Sequence, residues 1–141
     1  MTQINKQMKI VFDTNVLLVS ISRKSKYNWV FQKILNKEIN VIISNEILTE
    51  YEEKITDIFN PFIAKNIIEL FLIAMNVTKI IPYFRWNLID IDKDDNKFVD
   101  CAIASNADYI VTNDKHFDVL KSVDFPKVNV IDINGFDKIF S

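Results

Sequence analysis

Residues 94–114 read DDNKFVDCAIASNADYIVTND. Apolar residues recur at helical intervals over Asp94–Asn106, and Tyr109–Val111 is a short apolar run of the kind that forms a strand. An acid, Asp114, stands just past that strand, and another, Asp95, lies in the first turn of the helix that feeds it. The same grammar recurs outward. Met8–Phe12 reads as a strand ending at Asp13, followed by a helix over Asn15–Ile21. Tyr27–Asn36 reads as a second helix, Val41–Ile43 as a strand closed by Ser44, and Asn45–Phe59 as a helix that Ser44 would cap. Phe62–Met75 continues as a helix begun at Pro61, Val77–Ile81 as a strand ended by Pro82, Lys115–Lys121 as a short helix, and Val128–Ile131 as a last strand.

Strands that are continuous apolar runs, alternating with helices, imply a parallel sheet covered on both faces. The expectation is therefore α/β: one three-layer domain over residues 1–141, with a mostly parallel central sheet of about five strands and residues 1–7 a flexible N-terminal extension. In such sheets ligands bind outside the carboxyl ends of the strands, which is the edge where Asp13 and Asp114 stand.

Composition narrows the chemistry. The 141 residues include one glycine (Gly135), one histidine (His116) and one cysteine (Cys101). Glycine-rich nucleotide loops need several glycines in one turn and are excluded. A closed zinc site of nitrogen and sulfur ligands is excluded too, as is a disulfide within the chain. Any metal must be held by oxygen, and carboxylates are plentiful, with 13 Asp and 6 Glu against 15 Lys and 2 Arg, for a net charge of −2. Eleven of the Asp residues lie between Asp90 and Asp137, which makes the C-terminal part the acidic one. No secretory leader or membrane span is visible, so a cytoplasmic protein is expected. Cys101, among Val99, Ala102 and Ile103, reads as a buried thiol. With glycine so scarce, Asn15, Asn106 and Asn113 are candidates for backbone conformations that glycine usually supplies.

On a wheel of about 100° per residue, Ile47, Leu48, Tyr51, Ile55 and Ile58 define the buried face of the helix over 45–59. Glu53 falls opposite and Glu46 nearly so, whereas Glu50 and Glu52 lie on its flanks, where a carboxylate can enter a cleft. Acidic motifs of other kinds do not fit. Asp90, Asp92 and Asp94 mimic the start of a calcium-binding EF-hand loop, but Asp95 stands where glycine is required and Cys101 where a bidentate Glu is required. An aspartyl-phosphate phosphatase would need a second Asp at position 15, which is Asn. A phospho-receiver domain would need an acceptor Asp after a middle strand, where Ser44 and Pro82 stand.

What remains, in order, is Asp-Thr-Asn at 13–15, a helix with Glu50 on its flank, Asp-Asp-Asn-Lys-Phe at 94–98 and Val-Thr-Asn-Asp at 111–114. This set resembles the PIN domain, and in particular the VapC-like toxins of bacterial and archaeal toxin–antitoxin pairs. The likeness runs from Met8 to about Phe136. It implies four metal-binding acids at Asp13, Glu50, Asp95 and Asp114, with Asn15 and Thr112 shaping the site. Asp94, Asp95 and Asp100 are all candidates for the third acid; Asp95 is preferred, and Asp100 is a further candidate ligand. The implied cofactor is Mg²⁺ or Mn²⁺, which suits all-oxygen ligation and relieves the repulsion of crowded carboxylates. The implied reaction is hydrolysis of RNA to a 5′-phosphate and a 3′-hydroxyl, a metal ion lowering the pKa of the attacking water. A cognate antitoxin and a homodimer are implied partners.

RNA contacts are expected at Arg23, Lys24 and Lys26, and at Arg85 among Tyr83, Phe84 and Trp86, because cations interleaved with aromatic rings suit phosphate contact and base stacking. Packing or plain solvation is the competing account of both groups. His116 reads as a surface or capping group rather than a base. The rivals to an RNA-cutting enzyme are cleavage of DNA or structured RNA by the same acids, and a PIN-like module that binds RNA or a partner without catalysis.

Overall fold

The structure, a computed structural model, describes residues 7–140. Except for Gln7, whose side chain hydrogen-bonds the Lys37 carbonyl, the expected N-terminal extension lies outside the described residues. Five strands form one sheet: β1 (Lys9–Phe12), β2 (Asn40–Ile43), β3 (Val77–Lys79), β4 (Tyr109–Val111) and β5 (Val130–Ile131). Every pairing is parallel, in the order β3-β2-β1-β4-β5. Helices α1 (Thr14–Ile21), α2 (Asn28–Leu35), α3 (Asn45–Ile58), α4 (Pro61–Ile73), α5 (Asn96–Ser105) and α6 (Ile133–Ile139) cover it. The three-layer α/β expectation holds.

Local chemistry sets the helix ends. The Ser44 hydroxyl accepts the Ile47 N–H at the start of α3, and the Asn60 side chain accepts from Ile63 N ahead of Pro61, the first residue of α4. Asn106 closes α5 in the left-handed conformation at φ 53°. Asn15 lies instead inside α1, and Asn113 has no positive φ; Lys37 and Asn87 occupy the other left-handed positions among the described residues. Beyond their first residues the central strands are apolar because both faces are covered: Ile10, Val11, Phe12, Val41, Ile42, Ile43, Ile110 and Val111 are all buried.

Four expectations need correction. β3 stops at Lys79 and does not run to Ile81, because it is an edge strand whose Thr78 and Lys79 are exposed; Ile80 N still reaches Ile43 O at 2.9 Å. Residues Lys115–Ser122 form a 3-10 helix, and β5 is confined to Val130–Ile131. Ile58 is 64% exposed, so the buried face of α3 ends at Ile55. α6 had no counterpart in the sequence reading. Asp132 caps it by accepting the Gly135 N–H, and Phe136 packs edge-on to Phe12 and stacks with Trp29. No helix among the described residues is long and apolar enough to cross a membrane.

The strand order positions the site. From β1 the chain builds outward through β2 and β3, then returns to place β4 on the other side of β1. Such a reversal opens a crevice outside the carboxyl ends of the two strands that flank it. Asp13 follows β1 and Thr112 follows β4.

Candidate functional site

Asp13 is held between the two strands. Its N–H donates to Val111 O at 3.1 Å, and its carboxylate, in a residue 6% exposed, accepts the Thr112 hydroxyl at 2.7 Å on Oδ2. The same Thr112 oxygen accepts the Asp114 N–H at 3.0 Å. One hydroxyl thus donates to one acid and fixes the backbone of another. Asp114 Oδ1 accepts His116 N at 2.9 Å, starting the 3-10 helix and placing the imidazole over the crevice. Asp95 enters from a short 3-10 turn, Lys93–Asp95, capped by the Asp92 side chain. Glu50 enters from α3; its Oε2 accepts the Thr14 hydroxyl and its Oε1 lies 2.8 Å from Lys97 Nζ.

These acids feel one another. Burial raises the pKa of Asp13, and the charges of Asp114 and Glu50 raise it further, against the Thr112 hydrogen bond that lowers it. Asp95 is pushed up to about 6, first by burial and then by Asp92, Asp114 and Asp13. The structure therefore brings Asp13, Asp95 and Asp114 into one electrostatic group, with Glu50 at its edge and Asp92 and His116 added to it. Asp95 Oδ2 and His116 Nδ1 are buried without a hydrogen-bond partner although only 3.5 Å apart, and His116 Nδ1 is 3.6 Å from Asp114 Oδ1. Donor atoms of Asp92, Asp95 and His116 all lie within 4.8 Å of one another. Crowded carboxylates with an unsatisfied oxygen are a donor set that a hard cation fits, since a cation satisfies the oxygen and relieves the repulsion together.

Other expected residues are placed as follows. Asn15 is exposed on α1 and lines a cavity of about 300 Å³ with Asp13, Val16, Tyr27, Asn113 and Asp114. Asp100 is not brought into the acid group: it is buried and accepts the Trp86 N–H at 3.0 Å, tying α5 to the 80–92 segment. Arg85 pairs with Glu46 at 2.9 Å on the surface, while Phe84 and Trp86 lie 4.6 Å apart. Arg23, Lys24 and Lys26 are exposed after α1, with Lys26 Nζ 5.0 Å from the centre of the Tyr27 ring. Cys101 is buried, and burial pushes its thiol up to about 12, an unreactive state. The sequence reading left out Asp92, Thr14 and Lys97, and it placed His116 outside the site. Lone lysines and hydroxyls carry no signal in a lysine-rich chain, whereas the two-residue step from Asp114 to His116 was visible.

A model of the PIN domain matches residues 9–116. The chain belongs to the PIN domain family. Among solved structures, this PIN domain is similar to a chain in the crystal structure of VapBC2 from Rickettsia felis bound to a DNA fragment from their promoter. The two are 18% identical with a TM-score of 0.62, the alignment covering 89% of this chain and 98% of the other. A likeness at that identity is one of fold. A search of curated proteins returns no match. The acids at the β1–β4 crevice lie within or at the end of the matched span, and α6 lies beyond it.

Proposed function

We propose that this PIN domain is a metal-dependent endoribonuclease and the toxin of a toxin–antitoxin pair. The observation that carries the reading is the group of Asp13, Asp95 and Asp114 at the β1–β4 crevice, with an unsatisfied Asp95 oxygen. Membership of the PIN family and the fold likeness to a VapBC2 chain support a nuclease and an antitoxin partner. Asp13, Asp95 and Asp114 would hold Mg²⁺ or Mn²⁺, with Glu50 as the fourth carboxylate of the cleft. When bound, such an ion supplies Lewis acidity that makes a water nucleophilic at neutral pH and stabilises charge on a phosphodiester.

The chain's own residues prepare that chemistry. Thr112 fixes the rotamer of Asp13 and the backbone at Asp114, so two acids converge without reorganising when substrate arrives. Burial of Asp13 keeps bulk water from its carboxylate and strengthens its own charge interactions in the crevice. Asn15, beside the cavity next to Asp13, is positioned to shape the substrate path, and the exposed Arg23, Lys24, Lys26 and Arg85 would supply phosphate contacts. Phe62, Ile73 and Met75, all exposed, give a partner or a second copy an apolar surface. A cytoplasmic location follows from the substrate.

The test is cleavage of a panel of single-stranded RNA, tRNA, rRNA and DNA in Mg²⁺ or Mn²⁺ by the parent and by Asp13→Asn. RNA cleavage abolished by the substitution supports the reading. Equal cleavage by both proteins, or none by the parent, overturns it, and cleavage of DNA alone transfers the chemistry to the other substrate.

A further inference from the structure

The acids of the crevice are not equivalent, and Lys97 divides them. Its ammonium lies 2.8 Å from Glu50 Oε1 and 2.9 Å from Asp94 Oδ1, and its side chain is only 9% exposed. Lysine is almost never buried to this degree without charge partners, because its ammonium is strongly hydrated. Here the partners are complete. With Oε2 taken by the Thr14 hydroxyl and Oε1 by Lys97, both Glu50 oxygens are satisfied by the protein itself. At the other end of the crevice Asp95 Oδ2 has no hydrogen-bond partner, and the nearest nitrogen, His116 Nδ1 at 3.5 Å, is shared with Asp114 Oδ1 at 3.6 Å. One end of the cleft carries its own cation and the other lacks one.

We infer that Lys97 occupies the place of a second metal ion: this PIN domain binds a single divalent cation, at the Asp13–Asp95–Asp114 end, and the Lys97 ammonium supplies the other positive charge. The inference rests on the metal-dependent reading above and refines it. An ammonium bridging carboxylates from α3 and from the turn before α5 neutralises them as an ion would, without needing six oxygen ligands. It also keeps the Glu50 side of the groove assembled before any ion enters. That groove continues outward past Asn45, Glu46, Thr49 and Glu53, where Arg85 offsets Glu46 and Lys97 offsets Glu50 and Asp94. Lys97 is on this account a positioning residue: it sets where the divalent charge goes by filling the alternative.

The experiment is titration of the full chain with Mn²⁺, free ion being read by electron paramagnetic resonance. The parent is expected to bind one Mn²⁺ per chain, Lys97→Arg to keep one, and Lys97→Met to bind two, because Glu50 and Asp94 are released as ligands. Lys97→Gln, close to lysine in size but without its charge, serves if Lys97→Met does not fold, and two ions are expected there also. Two ions in the parent overturn the inference while leaving the metal-dependent reading intact. One ion in the neutral variants, at unchanged affinity, overturns it likewise. No ion in the parent overturns the metal-dependent reading itself.

Discussion

The hydroxyl of Thr112 donates to Asp13 Oδ2 at 2.7 Å across 99 residues of chain, joining the first residue after β4 to the first after β1. Replacing Thr112 by Val keeps the shape and removes the donor, leaving Asp13 free to rotate and the Asp114 N–H without its acceptor. Cleavage rate and Mn²⁺ affinity are expected to fall about 10–100-fold, as for other residues that orient a metal ligand. Thr112→Ser, which restores the hydroxyl, is expected to recover most of both. Equal loss in Val and Ser variants would mean that packing of the methyl group, and not the hydrogen bond, matters.

Asp95 makes the metal-free protein sensitive to pH. Its carboxyl titrates at about 6 in the fold against 3.8 for the free group. The folded state therefore binds the proton more tightly, and the stabilisation is fully present below pH 4 and lost as pH rises through 6. Asp95→Asn removes this dependence. In metal-free buffer the variant is expected to match the parent near pH 4 and to melt several degrees higher above pH 6.5. Excess Mn²⁺ reverses the order, since only the parent keeps the carboxylate. A melting-temperature difference that does not change between pH 4 and 7 would contradict this.

Tyr51 tests the support beneath the site. It is fully buried on α3, its hydroxyl donates to Phe12 O at 2.5 Å, and burial holds its pKa well above the ordinary 10. Tyr51→Phe leaves that carbonyl without this donor, at a cost of about 1–3 kcal/mol. A fall in melting temperature on the order of 5 °C is expected. Metal stoichiometry should stay as in the parent, because Asp13 keeps its bonds to Val111 and Thr112.

Lys37 is held at φ 59°, a conformation costly for any residue with a Cβ. Lys37→Gly is expected to raise stability by up to about 1 kcal/mol, the relief of strain being partly offset by the greater freedom of glycine in the unfolded chain. Lys37→Ala should give no such gain. Urea denaturation of the two variants separates relief of strain from loss of the lysine side chain.

Much of this arrangement was legible in the residues, for reasons that differ by element. β1, β2 and β4 announce themselves because both faces are covered and each carries consecutive buried apolar residues. β3 did not show its end, since Ile80 and Ile81 prolong the apolar run past the last ladder pair at Lys79. α6 stayed hidden because seven residues around a glycine show no period. Asp13 and Asp114 were legible because the first directly follows a strand and the second stands three residues past one. Asp95 and Asp100 could not be separated by spacing alone; five residues along a helix differ by roughly 140° in direction, and that turn sends Asp100 to the Trp86 N–H. Lys97 stands inside the Asp-Asp-Asn-Lys-Phe stretch, but its partner Glu50 lies far off in the chain and no spacing pairs the two.

The seam between β1 and β4 also bears on the order in which the protein is made. Asp13 is synthesised early and Asp114 late, and at about 5–20 residues per second several seconds separate them. Until the later segment docks beside β1, Thr112 cannot orient Asp13 and the crevice has one wall. Parallel pairing of segments so distant in the chain is also among the slower steps of folding. Until residues 109–114 have docked beside β1, a growing chain lacks the acid group on which the activity proposed for it depends.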